Sequence, residues 1–446
     1  MNKILILGAG LSASSLIQYL LDHAPKHQWI VRVGDKDLAT AQRKIGNHKH
    51  GEAFAFDVFN EQQVNDEVAN ATVIISMLPA RFHPMVANTC VAHNKHMITA
   101  SYVSAEVKTL NEEAKSKGLL LLNEIGVDPG IDHMSAMQVI DQIKAEGGTL
   151  EAFYSSTGGL IAPEYDTNPW HYKFTWNPRN VVVAGQSTAR YLEKGQVKYV
   201  PYHQLFRRYR SLSVLDLGKF EMYPNRDSLG YRETYDLPNI PTILRGTLRR
   251  PGYCDAWNVF VQLGATDDTY KLDQIEKMTY RDFMESFLPA DGGTSTEEKL
   301  ASYLNLPPHD EVMQKLTWLG IFNETPIGLK EGTPAQVLQK LLVEKWALGE
   351  HDKDMIVMQH QFDYTNKSGD RKRKLSSLIV RGKDKVHTAM SITVGIPVAI
   401  ATKLLLTGTI KATGVVIPTK PDIYQPVLNE LKDFGIEFIE EEVPLH

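Results

Sequence analysis

Apolar positions over residues 1–130 fall into short unbroken runs separated by stretches at helical spacing, which predicts buried strands alternating with amphipathic helices. Lys3-Ile4-Leu5-Ile6-Leu7 is one such run, and 14–21 is the helix that follows it. A second β-rich run over 29–34 ends on Asp35. Further strands are predicted at 71–77, 96–99 and 119–122, with helices at 84–93 and 107–116 between them. This alternation predicts an α/β fold built on a doubly wound parallel sheet. Ligands of such sheets sit outside the carboxyl ends of the strands, so Leu78, Pro79, Ser101, Tyr102 and the stretch 124–130 are expected to converge.

The pattern changes near residue 150. Candidate strands beyond it are broken by Pro, Gly and Asn turns, which predicts a mixed α/β domain with a sizeable sheet. Between 280 and 348 apolar residues recur every three or four positions, giving helices over 296–303, 311–318 and 334–346. Residues 355–364 and 375–381 are strand-like and flank Asn366-Lys367-Ser368-Gly369-Asp370, which predicts a hairpin. Pro397 is expected near the start of a last apolar helix ending at Leu406.

The turn after the first strand carries the clearest chemistry. Gly8-Ala9-Gly10-Leu11-Ser12-Ala13 is a GxGxxA sequence, and Asp35 stands 25 positions after Gly10. Gly8 permits the tight turn, Gly10 lets backbone approach a pyrophosphate, and Ala13 lets helix and strand pack closely. The N-terminus of the helix that follows turns N–H groups and a positive dipole end toward phosphates. Strand, glycines, helix and acidic residue together form a dinucleotide-binding βαβ unit, so a nicotinamide or flavin enzyme is expected.

Composition narrows the class. At 446 residues the chain is too long for one core. Its 43% hydrophobic and 23% charged content excludes a disordered or fibrous protein. A net charge of −5 offers no electrostatic footprint for nucleic acid or an anionic membrane, so neither is an expected partner. Cys90 and Cys254 are the only cysteines, which argues against a disulfide framework and a cysteine-based zinc site. No apolar run is expected to reach a membrane span, and a strand starting at Lys3 leaves no room for a signal peptide; a cytoplasmic protein is expected. Arg371-Lys372-Arg373-Lys374 is expected as a solvated turn beside the hairpin. His23 and His27 flank Pro25 and are not expected to share a helical face. Cys90, His93 and His96 approach ligand spacing without a fourth ligand, so no metal is expected.

The second constellation is Glu124-Ile125-Gly126-Val127-Asp128-Pro129-Gly130-Ile131-Asp132-His133, which follows a buried strand. Three carboxylates at a strand end suit binding or proton transfer, and Asp132 is placed to cap a helix starting near His133. Farther on, arginines and aromatics gather beside Gly and Pro turns at 158–164, 168–179, 223–228 and 248–253. Guanidinium groups in such settings suit a substrate carrying several carboxylates, because they pair with them in a bidentate fork.

These segments together resemble saccharopine dehydrogenase of the glutamate-forming type. The resemblance rests on GAGLSA at 8–13, ASYVS at 100–104, EIGVDPGIDHM at 124–134, GGLIAPE at 158–164, NPWHYKFTWNPR at 168–179, YPNRDS at 223–228 and LRRPGY at 248–253. It continues through TVGIPVAIATKLLL at 393–406 and GVVIPTKPDIYQPVL at 414–428. The resemblance implies a Rossmann domain over 1–130 with 393–446, a substrate and dimerisation domain over 131–279 with 349–392, and a small helical domain over 280–348. It implies a homodimer. The reaction it implies takes hydride from the carbon beside the secondary amine of saccharopine and then hydrolyses the imine, giving glutamate and 2-aminoadipate 6-semialdehyde.

By the same resemblance Tyr102 and Asp128 line the reaction site, with Asp128 orienting the amine or assisting water. A phenol, with a reference pKa of about 10, suits a hydrogen-bond donor at Tyr102 better than a base. Ser101, Trp176, Asn177, Arg226 and Arg249 are the expected substrate contacts, the two arginines as carboxylate clamps. The cofactor contacts are Gly8, Gly10, Leu11, Ser12, Ala13, Asp35, Lys36, Leu78 and Pro79. Thr157 stands where some relatives carry cysteine, so no thiol role is implied there. Asp35 repels a 2′-phosphate, so NAD is expected in preference to NADP, although Lys36 and Arg43 act against that repulsion. The alternatives are a carboxynorspermidine-type dehydrogenase, which would want acidic lining in place of arginines, and a nucleotide-binding protein without catalysis.

Overall fold

Seven parallel strands make the first sheet. They are β1 (Lys3–Leu7), β2 (Ile30–Asp35), β3 (Gly51–Ala55), β4 (Val73–Ser76), β5 (His96–Ile98), β6 (Leu120–Leu122) and the late segment Gly414–Val416. Their spatial order is Gly414–Val416, β6, β5, β4, β1, β2, β3. The unbroken apolar runs are buried on both faces, as a doubly wound sheet requires. The sequence pattern gave no sign of β3, because this edge strand buries only Phe54. The computed structural model describes residues 1–184, 186–291, 293–307 and 310–445; Gly185, Gly292, Pro308, His309 and His446 fall inside the expected domains but outside the described residues.

The first helix, α1 (Ser14–His27), continues through Pro25. The His23 and His27 rings stack at 6.4 Å and therefore do share a face, against expectation. Burial of Leu21 and Ala24, with His27 stacked on Trp29 at 4.5 Å, outweighs the one hydrogen bond that Pro25 cannot make. The helix expected over 107–116 is instead two short ones, Ala105–Lys108 and Asn111–Ser116.

Pro397 does not open its helix. The helix spans Ala389–Leu406, and its cap Thr388 accepts the Ser391 N–H at 3.0 Å. With 18 residues and a mean hydropathy of 1.8 it is long and apolar enough to cross a membrane by length and composition, which the sequence pattern had not suggested. Most of it is buried inside the protein, packed against α1. Gly395 marks the closest approach: a Cβ there would lie 2.9 Å from Leu16 N and 3.0 Å from the Ser12 carbonyl oxygen. Beside it the Ser15 and Ser391 hydroxyls meet at 3.0 Å.

Residues Met1–Thr149, Asn366–Ser368 and Leu378–Ile439 form one compact unit; Leu150–Thr365, Gly369–Ser377 and the chain from Glu440 onward form a second. The second is built on a mixed sheet of β7 (Thr149–Ile161), β8 (Ala189–Glu193), β9 (Gln196–Val200), β10 (Arg210–Ser213), β11 (Lys219–Pro224), β12 (Thr242–Arg249), β13 (Asp354–Thr365) and β14 (Arg371–Arg381). The order is β10, β11, β12, β7, β13, β14 and then Ile439–Pro444, with β8 pairing β12 and β9. The end of the chain thus belongs to this second sheet, whereas the resemblance kept all of 393–446 with the first. Leu316, Leu338 and Trp346 from the helical stretch enter one core with Trp170, Tyr253 and Trp257.

The basic run begins β14 and does not lie in the turn. Arg371 pairs with Glu151 at 2.9 Å, Lys372 with Glu442 at 2.6 Å, Arg373 with Asp363 at 2.7 Å and Lys374 with Glu440 at 3.3 Å. Each charge faces a carboxylate, which argues against a cationic patch at that point.

Because Gly395 meets backbone atoms that cannot give way, Gly395→Val is expected to lower stability by about 2–3 kcal/mol. A lowered midpoint in urea unfolding checks this; an unchanged midpoint would mean the helices do not approach so closely.

Candidate active site

β1 ends at Leu7, and Gly8 then turns with φ of +100°. A Cβ on Gly8 would lie 2.8 Å from the Met77 carbonyl oxygen and 3.4 Å from Leu78 N. Glycine is required there because the ends of β1 and β4 close on each other. Leu78 and Pro79 consequently flank the turn, as the strand-end argument expected. Gly10 differs: it is exposed, and a Cβ on it meets nothing within 4 Å. No side chain caps the 3₁₀ turn Leu11–Ala13, Leu11 is 70% exposed, and Ala13 is buried. Open backbone and an uncapped helical start fit a dinucleotide diphosphate.

Asp35 is committed elsewhere. Its Oδ2 accepts the Ala9 N–H at 2.7 Å and its Oδ1 the Asp37 N–H at 2.9 Å. Each oxygen thus already buttresses backbone of the turn, while Lys36 is exposed. The sequence reading missed Lys44, whose Nζ donates to the Gly10 carbonyl and, at 2.8 Å, to Ser14 Oγ. Burial lowers its pKa to about 8, with Asp35 opposing that shift. It lies on the helix Leu38–Ile45, which the hydrophobic pattern had not singled out.

At the carboxyl ends of β5 and β6 the structure brings Ser101, Tyr102 and the turn 124–133 together. The Tyr102 hydroxyl donates to Asp128 Oδ1 at 3.2 Å, and Tyr102 is 40% exposed. The other two carboxylates of the turn are structural. Glu124 is buried with φ of +57°; its Oε1 accepts the Val103 N–H at 3.0 Å and its Oε2 lies 2.8 Å from His133 Nε2. Asp132 Oδ1 accepts the Gly130 N–H at 2.6 Å from within the first turn of Ile131–Ala145, so it does not sit ahead of that helix as an N-cap. Gly126 and Gly130 are in backbone contact, and a Cβ on Gly130 would lie 2.2 Å from Gly126 N. Of the three acids, Asp128 is the one left half-buried and facing a phenol.

The remaining predicted residues lie in the second unit. Arg249, at the end of β12, is 4% exposed, and its Nη1 donates to the Leu248 carbonyl at 2.8 Å. Its guanidinium stands over the rings of Tyr172, Tyr253 and Tyr223 at 4.8, 5.2 and 5.9 Å. Burial works against that charge, but the Tyr223, Tyr172 and Tyr253 phenols outweigh it and raise the pKa. Among the described residues no carboxylate pairs with it, and its Nε is buried without a partner. Arg226 is exposed, with φ of +48°, just past β11. Asn225 N bonds to the Arg245 carbonyl, so Arg249 lies four residues farther along β12, roughly 13 Å at strand rise. The backbones of the two arginines are therefore separated along the strand direction. Trp176 packs on the aromatic core, and the Asn177 side chain caps Pro178–Val182 by accepting the Arg179 N–H at 3.0 Å.

Comparison with known proteins supplies what geometry alone does not. The saccharopine dehydrogenase NADP binding domain matches residues 4–122, and the saccharopine dehydrogenase C-terminal domain matches 126–436. The chain belongs to the saccharopine dehydrogenase family. It is 33% identical to saccharopine dehydrogenase [NADP(+), L-glutamate-forming] of Pyricularia oryzae, covering 98% of each chain. It is 33% identical to the enzyme of that name from Saccharomyces cerevisiae, covering 99% of each. The apo structure of the latter superimposes with a TM-score of 0.90 at 32% identity, over 99% of this chain. Alpha-aminoadipic semialdehyde synthase of Bos taurus is 34% identical, but this chain spans only 47% of it. A nicotinamide cofactor and a small-molecule substrate follow from membership of the saccharopine dehydrogenase family.

Two expectations follow for this saccharopine dehydrogenase site. Replacing the buried acid, Glu124→Ala, is expected to cost about 3 kcal/mol in unfolding free energy, because the Val103 N–H and His133 lose their acceptor together. Chemical denaturation reads this out. Lys44 is charged below about 8 and neutral above it, so it adds positive potential to the turn only on the acid side. Nucleotide affinity is expected to be flat below that point and to weaken about fivefold toward pH ~9.5, in wild type and not in Lys44→Met. Calorimetric titration across pH checks this.

Proposed function

We propose that the chain oxidises saccharopine to L-glutamate and 2-aminoadipate 6-semialdehyde, with NADP as the cofactor. The observation that carries the reading is the Tyr102–Asp128 pair at the carboxyl edge of the first sheet, with Glu124 and Asp132 committed to structure. Asp128 is the half-buried acid of the three, facing the phenol at this edge, where the reaction needs a proton acceptor.

The Gly8–Ala13 turn would hold the dinucleotide, which would supply the hydride acceptor for the carbon beside the secondary amine. The amine nitrogen must shed its proton as that C–H bond breaks and a C=N bond forms. Asp128 is the acceptor within this turn, and the Tyr102 hydroxyl holds its carboxylate in place. Water then adds to the carbon, the C–N bond breaks, and glutamate leaves as the amine while the aldehyde remains. Asp128 can return its proton to the departing nitrogen, so one group serves both halves. Arg226 and Arg249 are the proposed partners of substrate carboxylates. The unpaired Nε of Arg249 supports this, since a buried guanidinium without an acid is costly until an anion arrives. Ser101, Trp176 and Asn177 are proposed contacts as well; the Asn177 oxygen caps a helix turn, and its amide nitrogen is the group proposed for the substrate.

NADP replaces NAD as the preferred cofactor. Asp35 was the argument for NAD, but its charge is partly answered by the two backbone N–H groups it accepts and by Lys44, which feels it. Lys36 and Arg43 lie on the exposed surface nearby, where a 2′-phosphate would want cations. The full-length relatives carry NADP(+) in their names.

Reduction of nicotinamide with saccharopine, followed by absorbance with NADP and NAD in parallel, tests the proposal. Turnover with an NADP preference of at least about tenfold is expected, with glutamate released in equal amount. Asp128→Asn is expected to lose about 10² or more in kcat while still binding nucleotide, and Tyr102→Phe to lose less. Wild-type protein that binds nucleotide yet leaves saccharopine untouched would overturn the assignment.

A further inference from the structure

Beneath the Tyr102 edge a chain of hydrogen bonds runs through His83, which the hydrophobic pattern did not distinguish. His83 is 3% exposed at the start of the helix His83–Ala92. Its Nδ1 lies 2.9 Å from Ser76 Oγ, and its Nε2 lies 2.7 Å from Ser101 Oγ. The direction of both bonds follows from one constraint. Ser76 is fully buried at the end of β4, and His83 is the one partner of its hydroxyl among the described residues. A buried donor left unmade costs more than an unused acceptor lone pair, so Ser76 donates and Nδ1 accepts.

A neutral imidazole carries one N–H, so the proton sits on Nε2 and is given to Ser101 Oγ. Burial lowers the His83 pKa to about 4, and the ring keeps that single proton throughout the neutral range. Ser101, having accepted from the ring, has its own hydroxyl proton to give elsewhere. Its backbone is pinned on both sides: its N–H bonds to Thr99 Oγ1 at 3.3 Å, and its carbonyl accepts the Glu124 N–H at 3.0 Å. Ser101 is half-buried and adjacent to Tyr102, so the open direction is toward the reaction edge. The opposite tautomer would draw the serine proton inward and turn lone pairs toward an anionic ligand.

We propose that His83 is a positioning residue that fixes Ser101 as a hydrogen-bond donor to a substrate carboxylate. This rests on the function proposed above. His83→Leu removes both bonds, whereas His83→Gln can present an N–H to Ser101 from nearly the same place. His83→Leu is expected to raise the KM for saccharopine about tenfold with kcat within about twofold, and to leave nucleotide binding unchanged. His83→Gln should recover most of that loss. In a Ser101→Ala background, His83→Leu should add less than about twofold.

Nitrogen-15 NMR of imidazole-labelled protein gives a readout independent of turnover, and Nε2 protonated with Nδ1 bare is the expected state. A protonated Nδ1, a nucleotide KM that moves in place of the substrate KM, or full additivity with Ser101→Ala would each overturn the proposal. A protein with the expected tautomer but no activity on saccharopine would instead overturn the assigned substrate, and with it the carboxylate as the partner of Ser101. If His83→Leu fails to fold, His83→Gln and the NMR measurement decide the matter.

Discussion

One buried carboxylate organises the reaction edge. Glu124 takes a left-handed backbone conformation directly after β6, a position unusual for a residue with a side chain. From there it accepts the Val103 N–H, meets His133 on the following helix, and gives its own N–H to the Ser101 carbonyl. The 101–103 segment and the following helix are thereby both tied to one residue. The Gly126–Gly130 contact closes the turn beneath it, where any larger residue would collide with backbone. Tyr102 and Asp128 are neighbours because these constraints leave their segments nowhere else to go.

The same logic divides labour among groups of one chemical type. Glu124, Asp128 and Asp132 are alike in sequence, yet two are spent on backbone N–H groups and one is kept for a phenol. Asp35 follows the first pattern: expected to bear on the choice of cofactor, it also stabilises backbone at the glycine turn. In each case a carboxylate near an unsatisfied backbone donor is drawn to it, since a buried N–H without a partner is costly. Lysine plays the complementary part at Lys44, which covers the Gly10 carbonyl and brings positive charge to the turn that Asp35 buttresses.

Arg249 poses the reverse case. Its charge is enclosed by tyrosine faces with no acid paired to it among the described residues. Aromatic quadrupoles soften the desolvation of a guanidinium without satisfying its N–H groups, so such a cage tolerates the cation and leaves it hungry for an acceptor. Trp346, in the same core, also keeps a buried indole N–H without a partner among the described residues.

Much of this was legible in the sequence, and the legible part has a common cause. Unbroken apolar runs encode strands buried on both faces, and the GxGxxA turn encodes close backbone approach, so the first sheet and its nucleotide edge could be read from residue order alone. The meeting of the Tyr102 and Asp128 segments was also legible from their places at strand ends, while the role proposed for the pair came from the family resemblance. What could not be read depends on contacts between residues far apart in the chain. The edge strand β3 lacks an apolar run, Pro25 and Pro397 sit inside helices whose burial outweighs a missing bond, and the basic run is neutralised by acids up to 220 positions away. Sequence supplied the kinds of groups and the sheet ends they occupy. Only tertiary structure decided which of three acids faces the phenol and which histidine lies under Ser101, because partnership among buried polar groups is settled by where the backbone leaves a donor unpaired.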